Sequence, residues 1–410
     1  MISNFSINFF KIFLILFPFG LVTGPFLTDF LISIFGIYFL YFCFKNQIWY
    51  YFNDKFFKLS LIFYLIIILS GLFSNNPYES LIDYSGPIFY FRNFVFIASV
   101  SFLFSKKINI KTLLYSFLLI IFFVMFDALV QFIFGSNLFG MKTFDYNRLT
   151  GIFGKEQILG HYLSYTFPIC CTLYFMIFSN HNNFHKSFLV LFSLLILIIA
   201  FISGDRTGLL KLIIFIIFAG FIVKEYRKLF SIILVILFSL SILLINFNEK
   251  SNNRFNDTIR DISNNKTFLP ISSGHEDLFL SGFNLFLDYP ILGAGPQMYR
   301  VLCKTSPKYS INDVCTTHVH NYYFQTIGEL GLIGLLFLLL LYLYLIKSFL
   351  KSYFSDRKNY PFLLINLHLL ISLLPFISHF NFYNNWVNPT LALSFGIFIF
   401  LKNHYQKYEK

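Results

Sequence analysis

Apolar residues run along this chain in long stretches separated by short polar breaks. The pattern is neither the strict alternation of a half-buried strand nor the one-sided stripe of a soluble helix. A helix needs roughly 20 mostly apolar residues to cross the hydrocarbon core of a bilayer. The stretches predict twelve spans, near 9–26, 28–44, 59–74, 86–104, 112–134, 158–178, 187–203, 207–223, 229–246, 322–346, 361–378 and 390–402. The first has no small-residue cleavage signature and runs straight into the second, so it reads as an anchor and not as a removed leader. The chain then divides into 1–246 with nine helices, an extramembrane segment at 247–321, and 322–410 with three helices and a tail. No internal repeat is visible, parallel or inverted.

Composition points the same way. With 57% hydrophobic and only 12% charged residues, the chain has about half the charge of a soluble domain, which excludes soluble and disordered classes. A net charge of +12 raises the question of a nucleic-acid surface. Most of the Lys and Arg form small clusters between apolar runs, as the positive-inside rule requires, so no nucleic acid is expected. With the N-terminus in the cytoplasm, the inside segments hold 18 Lys and Arg, and the short outside loops hold only Lys142, Arg148, Lys155 and Arg206. That asymmetry places both termini in the cytoplasm and 247–321 outside the cell membrane. The expected fold class is an all-α polytopic membrane protein with one long extracytoplasmic loop before the tenth helix.

The long segment opens with a polar, Asn-rich stretch that reads as solvated chain. Glu276–Asp288 reads as an amphipathic helix with Leu278, Phe279, Leu280, Phe283 and Phe286 crowding one side, expected to lie along the outer membrane interface. The Asp-Tyr-Pro-Ile-Leu-Gly-Ala-Gly-Pro run ends it. Cys303 and Cys315 stand twelve positions apart in an oxidising compartment. A disulfide there would stabilise the loop by about 3 kcal/mol, with two free thiols as the alternative. His318 and His320 are near, but nothing completes a zinc pattern. Cys43, Cys170 and Cys171 fall inside spans as small buried hydrophobes.

Candidate chemistry gathers at the outer ends of the spans. Thr317–Tyr323 carries His318, His320 and Asn321 at the start of the tenth span. A helix N-terminus suits an anion, and His adds a base or donor. Alternatively, these side chains only cap the helix. Arg206 lies in a tight turn between two spans, where its planar fork matches phosphate oxygens, or else snorkels to headgroups or pairs with Asp205. Arg148, Lys155, Glu156 and His161 form a third cluster, which loop solvation also explains. Arg92, Asp127, Lys211, Glu329 and His368 are ionisable within spans, where such residues face protein or a water-filled cavity.

These residues resemble the O-antigen ligase and polymerase superfamily. The motif reads His320, Asn321, nine residues from Tyr322 to Leu330, then Gly331-Leu-Ile-Gly334. The Arg148-x-x-Gly-x-Phe-Gly loop, the Arg206 turn and the Gly-Ala-Gly-Pro segment before Arg300 agree with it, and the resemblance covers about residues 85–345. His275 stands where many relatives carry Arg, which leaves Arg300 to supply a second cation. The resemblance implies an inverting, metal-independent glycosyltransferase of GT-C type, without cofactor. Its donor would be an undecaprenyl-diphosphate-linked glycan and its acceptor lipid A-core (a ligase) or another repeat unit (a polymerase). Arg206 and Arg300 would hold the diphosphate, and His320 would orient or deprotonate the acceptor hydroxyl. His318, Asn321, Arg148, His275, Arg92 and Glu329 are further substrate-binding candidates. The competing class is a twelve-span transporter of the same lipid.

Overall fold

The computed structural model of the chain describes residues 4–84, 86–106, 109–143, 148–178, 183–247, 249–263, 273–355 and 359–406. Part of the polar stretch, 264–272, lies outside the described residues, as do Lys107, Arg357, Lys358, Lys407 and Lys410, which entered the orientation count. Among the described residues there is no strand. The helices of the first half are α1 Asn4–Thr23, α2 Pro25–Asn46, α3 Lys55–Leu72, α4 Pro77–Leu81, α5 Phe91–Ser105, α6 Ile110–Phe134, α7 Leu159–Ile177 and α8 Asn183–Ile202. There follow α9 Arg206–Ile222, α10 Arg227–Phe247, α11 Glu249–Ser263, α12 Ser273–Asp288, α13 Tyr299–Thr305, α14 Tyr322–Tyr353, α15 Tyr360–Ser372 and α16 Val387–Gln406.

Each of the twelve apolar stretches holds a helix, and among the described residues seven of these segments are long and apolar enough to cross a membrane. The ends follow local chemistry. Asp54 caps α3 by accepting the Phe56 N–H at 2.8 Å, Asn359 caps α15 through the Phe362 N–H at 3.1 Å, and Gly135 closes α6 in the left-handed region. At the centre α5 packs on α16, and α7 packs on α9 and α15. Nearly every residue of α7 from Leu159 to Tyr174 is buried, whereas α10 buries little more than Phe230, Ile233 and Leu237. A smaller core of Leu278, Leu285, Met298, Tyr299, Tyr309 and Val319 joins α12, α13 and the 306–321 segment over one end of the bundle.

The polar stretch is helical over Glu249–Ser263, with Phe255 and Ile259 one turn apart and Arg260 paired to Asp257 at 2.8 Å. Two expectations are corrected. The apolar residues of α12 do not share one face. Leu278, Phe279 and Leu285 pack inward, with the Phe279 ring 4.9 Å from Phe324 on α14, while Leu280, Phe283 and Leu287 are exposed. Small residues at Ser281 and Gly282 let α12 stand against α14 and give it two apolar sides. The eleventh stretch stops being helical at Ser372, because Pro375 has no N–H to donate and biases Leu374 away from the helical region. Residues 373–386 form an irregular connection instead, held largely inside the protein.

Candidate active site

A joint between two glycine segments frames the site. Within α14, Gly331 takes φ 67° and ψ −165°, and the helix breaks there. The Ala294 and Gly295 N–H groups donate at 3.0 Å to the carbonyls of Gly328 and Glu329, and the Leu332 N–H donates to the Pro290 carbonyl at 2.9 Å. A Cβ on Gly331 would lie 2.2 Å from the Ile291 oxygen, and one on Gly293 2.2 Å from the Glu329 carbonyl carbon. The Gly-Leu-Ile-Gly and Gly-Ala-Gly runs are thus two halves of one contact that only glycine admits.

One end of α14 is fixed by Asn321. Its Oδ1 accepts the Tyr323 and Phe324 N–H groups at 2.8 and 3.2 Å, and its Nδ2 donates to the Ile377 carbonyl at 2.9 Å. Just before it, His320 adopts a left-handed φ of 54°, an uncommon state for a residue with a side chain, and its carbonyl accepts the His379 N–H at 2.7 Å. The turned backbone sets the His320 ring 4.0 Å from that of His318 and 5.3 Å from that of His275. His275 Nε2 lies 3.0 Å from the Ser378 hydroxyl, and the His379 ring stacks on Tyr322 at 4.3 Å. Burial pushes His318 down to about 4. Burial first, then the His318, His275 and His161 rings, pushes His320 down to about 2. Both are held neutral at physiological pH.

The second wall comes from α6 to α9. Asp127 and Gln131 on α6 are fully buried because they hold the following loop. Asp127 accepts the Leu138 N–H at 3.0 Å, and Gln131 accepts those of Thr150 and Gly151 at 3.0 and 2.8 Å. The loop is tied to the α8–α9 turn by the Leu149 N–H on the Ser203 carbonyl at 3.2 Å, and the Arg148 guanidinium donates to Gln157. In that turn Asp205 caps α9 through the Gly208 N–H at 3.0 Å and accepts the His161 backbone N–H at 2.8 Å. Arg206 follows as the first residue of α9, half-buried. The His161 ring packs on Phe380 at 4.7 Å, so the 373–386 connection joins this wall to the His320 loop.

Arg300 donates to Gln297 at 2.7 Å and lies 4.6 Å over the Tyr84 ring. Burial lowers its pKa and neighbouring Glu329 partly offsets this, while its charge reaches His318. Glu329 is buried and accepts from the Gln325 side chain at 3.0 Å, and Gln325 and Gln297 both bond to Asn381, at 3.1 and 2.9 Å. Glu329 is thus part of a polar core beneath Arg300. Arg92 is engaged apart from the imidazoles, with Asp29 at 2.6 Å and Asn385 at 3.1 Å. Cys303 and Cys315 are joined in a disulfide, Cα to Cα 5.6 Å, fastening α13 to the approach to Thr317.

Sequence reasoning passed over His379, Asn381, Gln297 and Gln325. The available signal was the run from Ser378 to Asn388, rich in uncharged polar residues yet free of Lys and Arg, which a solvated loop would carry.

These features define a multi-pass helical membrane protein in which His161, His275, His318, His320 and Arg300 lie near one another. Residues 191–339 match the family model described as O-antigen ligase, so this segment is similar to that family. The matched residues include Arg206, His275, Arg300 and the His320 motif. A search of curated proteins gave no match.

Proposed function

We propose that the protein is an inverting membrane glycosyltransferase of ligase type. It moves a glycan from an undecaprenyl-diphosphate-linked donor to lipid A-core at the outer face of the inner membrane. The observation that carries this reading is the convergence of the Arg206 turn, Arg300 and the His320 loop, three separate segments within the matched region. Displacement at an anomeric carbon leaves charge on the departing diphosphate, and guanidinium forks set beforehand in a partly dry site stabilise it. Arg206 and Arg300 take this role, with Arg148 beside the same turn. Neutral His320 accepts a hydrogen bond from the acceptor hydroxyl and aims it, while His318 and His275 shape the imidazole wall. Asn321 serves by holding His320 in its turned backbone. Glu329 and Arg92 support the scaffold.

The donor chain has a place to lie. An apolar groove of about 210 Å³, lined by Phe56, Phe63, Ile97, Leu341 and Phe395, reaches Tyr322 and Phe382 directly beneath the imidazoles. Its walls come from α3, α5, α14 and α16, and they match a polyprenyl segment entering from the bilayer.

The test is reconstitution of the purified chain with a polyprenyl-diphosphate oligosaccharide, with and without lipid A-core. Transfer only with the lipid acceptor is expected. Lengthening of the donor glycan without it would make the protein a polymerase, and no transfer under either condition would refute the reading. Arg206→Ala and His320→Ala should each lower the rate by about 10²-fold or more with membrane insertion intact. A fully active Arg206→Ala protein would remove that residue from the mechanism.

A further inference from the structure

Asp205 does more than a helix cap requires. A cap needs one side-chain oxygen, and Oδ1 supplies it to the Gly208 N–H at 3.0 Å. Oδ2 is turned towards α7, where it accepts the His161 backbone N–H at 2.8 Å and lies 2.5 Å from Nδ1 of the same ring. The approach is built into the backbone. A Cβ on Gly208 would lie 2.3 Å from the Gly160 carbonyl carbon, and one on Gly160 would lie 2.7 Å from the Asp205 Cβ, so α7 and α9 meet with no side chain between them.

An imidazole held through Nδ1 by a carboxylate has its tautomer and orientation set. It presents Nε2 as the acceptor. The Asp205 carboxyl is suited to this. Burial alone would raise it, but the His161 ring and the two N–H groups more than offset burial and hold it down to about 2. Facing this pair are His320 and His379 from the neighbouring loops, Lys211 one turn further along α9, and the adjoining Arg206. Among the described residues the ring contacts of His320 are to His275 and His318, and neither orients it as Asp205 orients His161.

We propose that His161, oriented by Asp205, is the general base of glycosyl transfer. Its Nε2 takes the proton of the acceptor hydroxyl as that oxygen bonds to the anomeric carbon. The bond from this carbon to the diphosphate breaks, and its electron pair leaves with the diphosphate against Arg206. The proton then passes to solvent or to the released diphosphate. Asp205 is a positioning residue. The inference rests on the transfer reading above.

The test measures initial rates of the full chain in nanodiscs, with lipid A-core, as the polyprenyl-diphosphate oligosaccharide is varied in concentration. His161→Gln should lower kcat by about 10²–10⁴-fold at unchanged donor KM. Asp205→Asn keeps a capping side chain and should lower kcat by less, again at unchanged donor KM. His161→Ala should regain rate with added imidazole, which a misfolded protein would not. A His161→Gln protein with wild-type kcat would overturn the inference while leaving glycosyl transfer intact. A wild type that transfers nothing would overturn both.

Discussion

On the proposed function, His320 and Asn321 divide one motif between chemistry and architecture. The Asn321 side chain spends its acceptor on two N–H groups of α14 and its donor on Ile377, so it holds the backbone next to it in place. Asn321→Ala is expected to cost about 1–2 kcal/mol of stability through the lost cap, and more transfer activity than that cost explains. Asn321→Asp should keep the cap, lose the bond to Ile377 and fall between the two. Thermal unfolding in detergent, paired with transfer rates, checks both. His320, Asn321 and Arg206 were legible in the sequence because each lies in a short local pattern. The His161 and Asp205 contact joins residues 44 positions apart, and His379 meets the His320 loop only once α15 has stopped and the chain has turned back. Spacing along a chain carries no trace of such meetings.

At the level of elements, the glycine joint explains why the pattern that starts at His320 runs on to Gly331. Gly331→Ala or Gly293→Ala would press a methyl into backbone atoms 2.2 Å away at a positive φ. Each is expected to destabilise by about 2 kcal/mol or more and to loosen the 289–300 segment that carries Arg300, read as a lower unfolding midpoint and a raised donor KM. Helix positions were readable from apolar run length, but what each helix faces was not. Lipid tails are as apolar as Leu, so an apolar residue on α12 can point at Phe324 or away from the protein with the same letter in the sequence. The end of α15 was signalled by Pro375, and apolar Phe376 and Ile377 masked it.

For the whole molecule, the buried imidazoles couple stability to pH. Unfolded, they titrate near about 6.5. Folded, burial pushes His318 down to about 4, His320 to about 2, and His379 well below its ordinary value. Below about pH 6.5 the unfolded chain binds protons that the folded chain refuses, so stability falls as pH drops, by at most about 1.4 kcal/mol per pH unit for each group. The unfolding midpoint should therefore decline between about pH 7 and about pH 5, and His318→Gln should flatten the slope. The break in α14 also acts as a ruler. From Leu332 to Tyr353 the helix rises about 33 Å, one hydrocarbon thickness. With that half of α14 spanning the bilayer, the turns of α14 before Gly331 stand at headgroup depth, where the phosphates of membrane lipids lie. A lipid-borne diphosphate could then meet the guanidinium groups by sideways diffusion alone, its tail never leaving the bilayer.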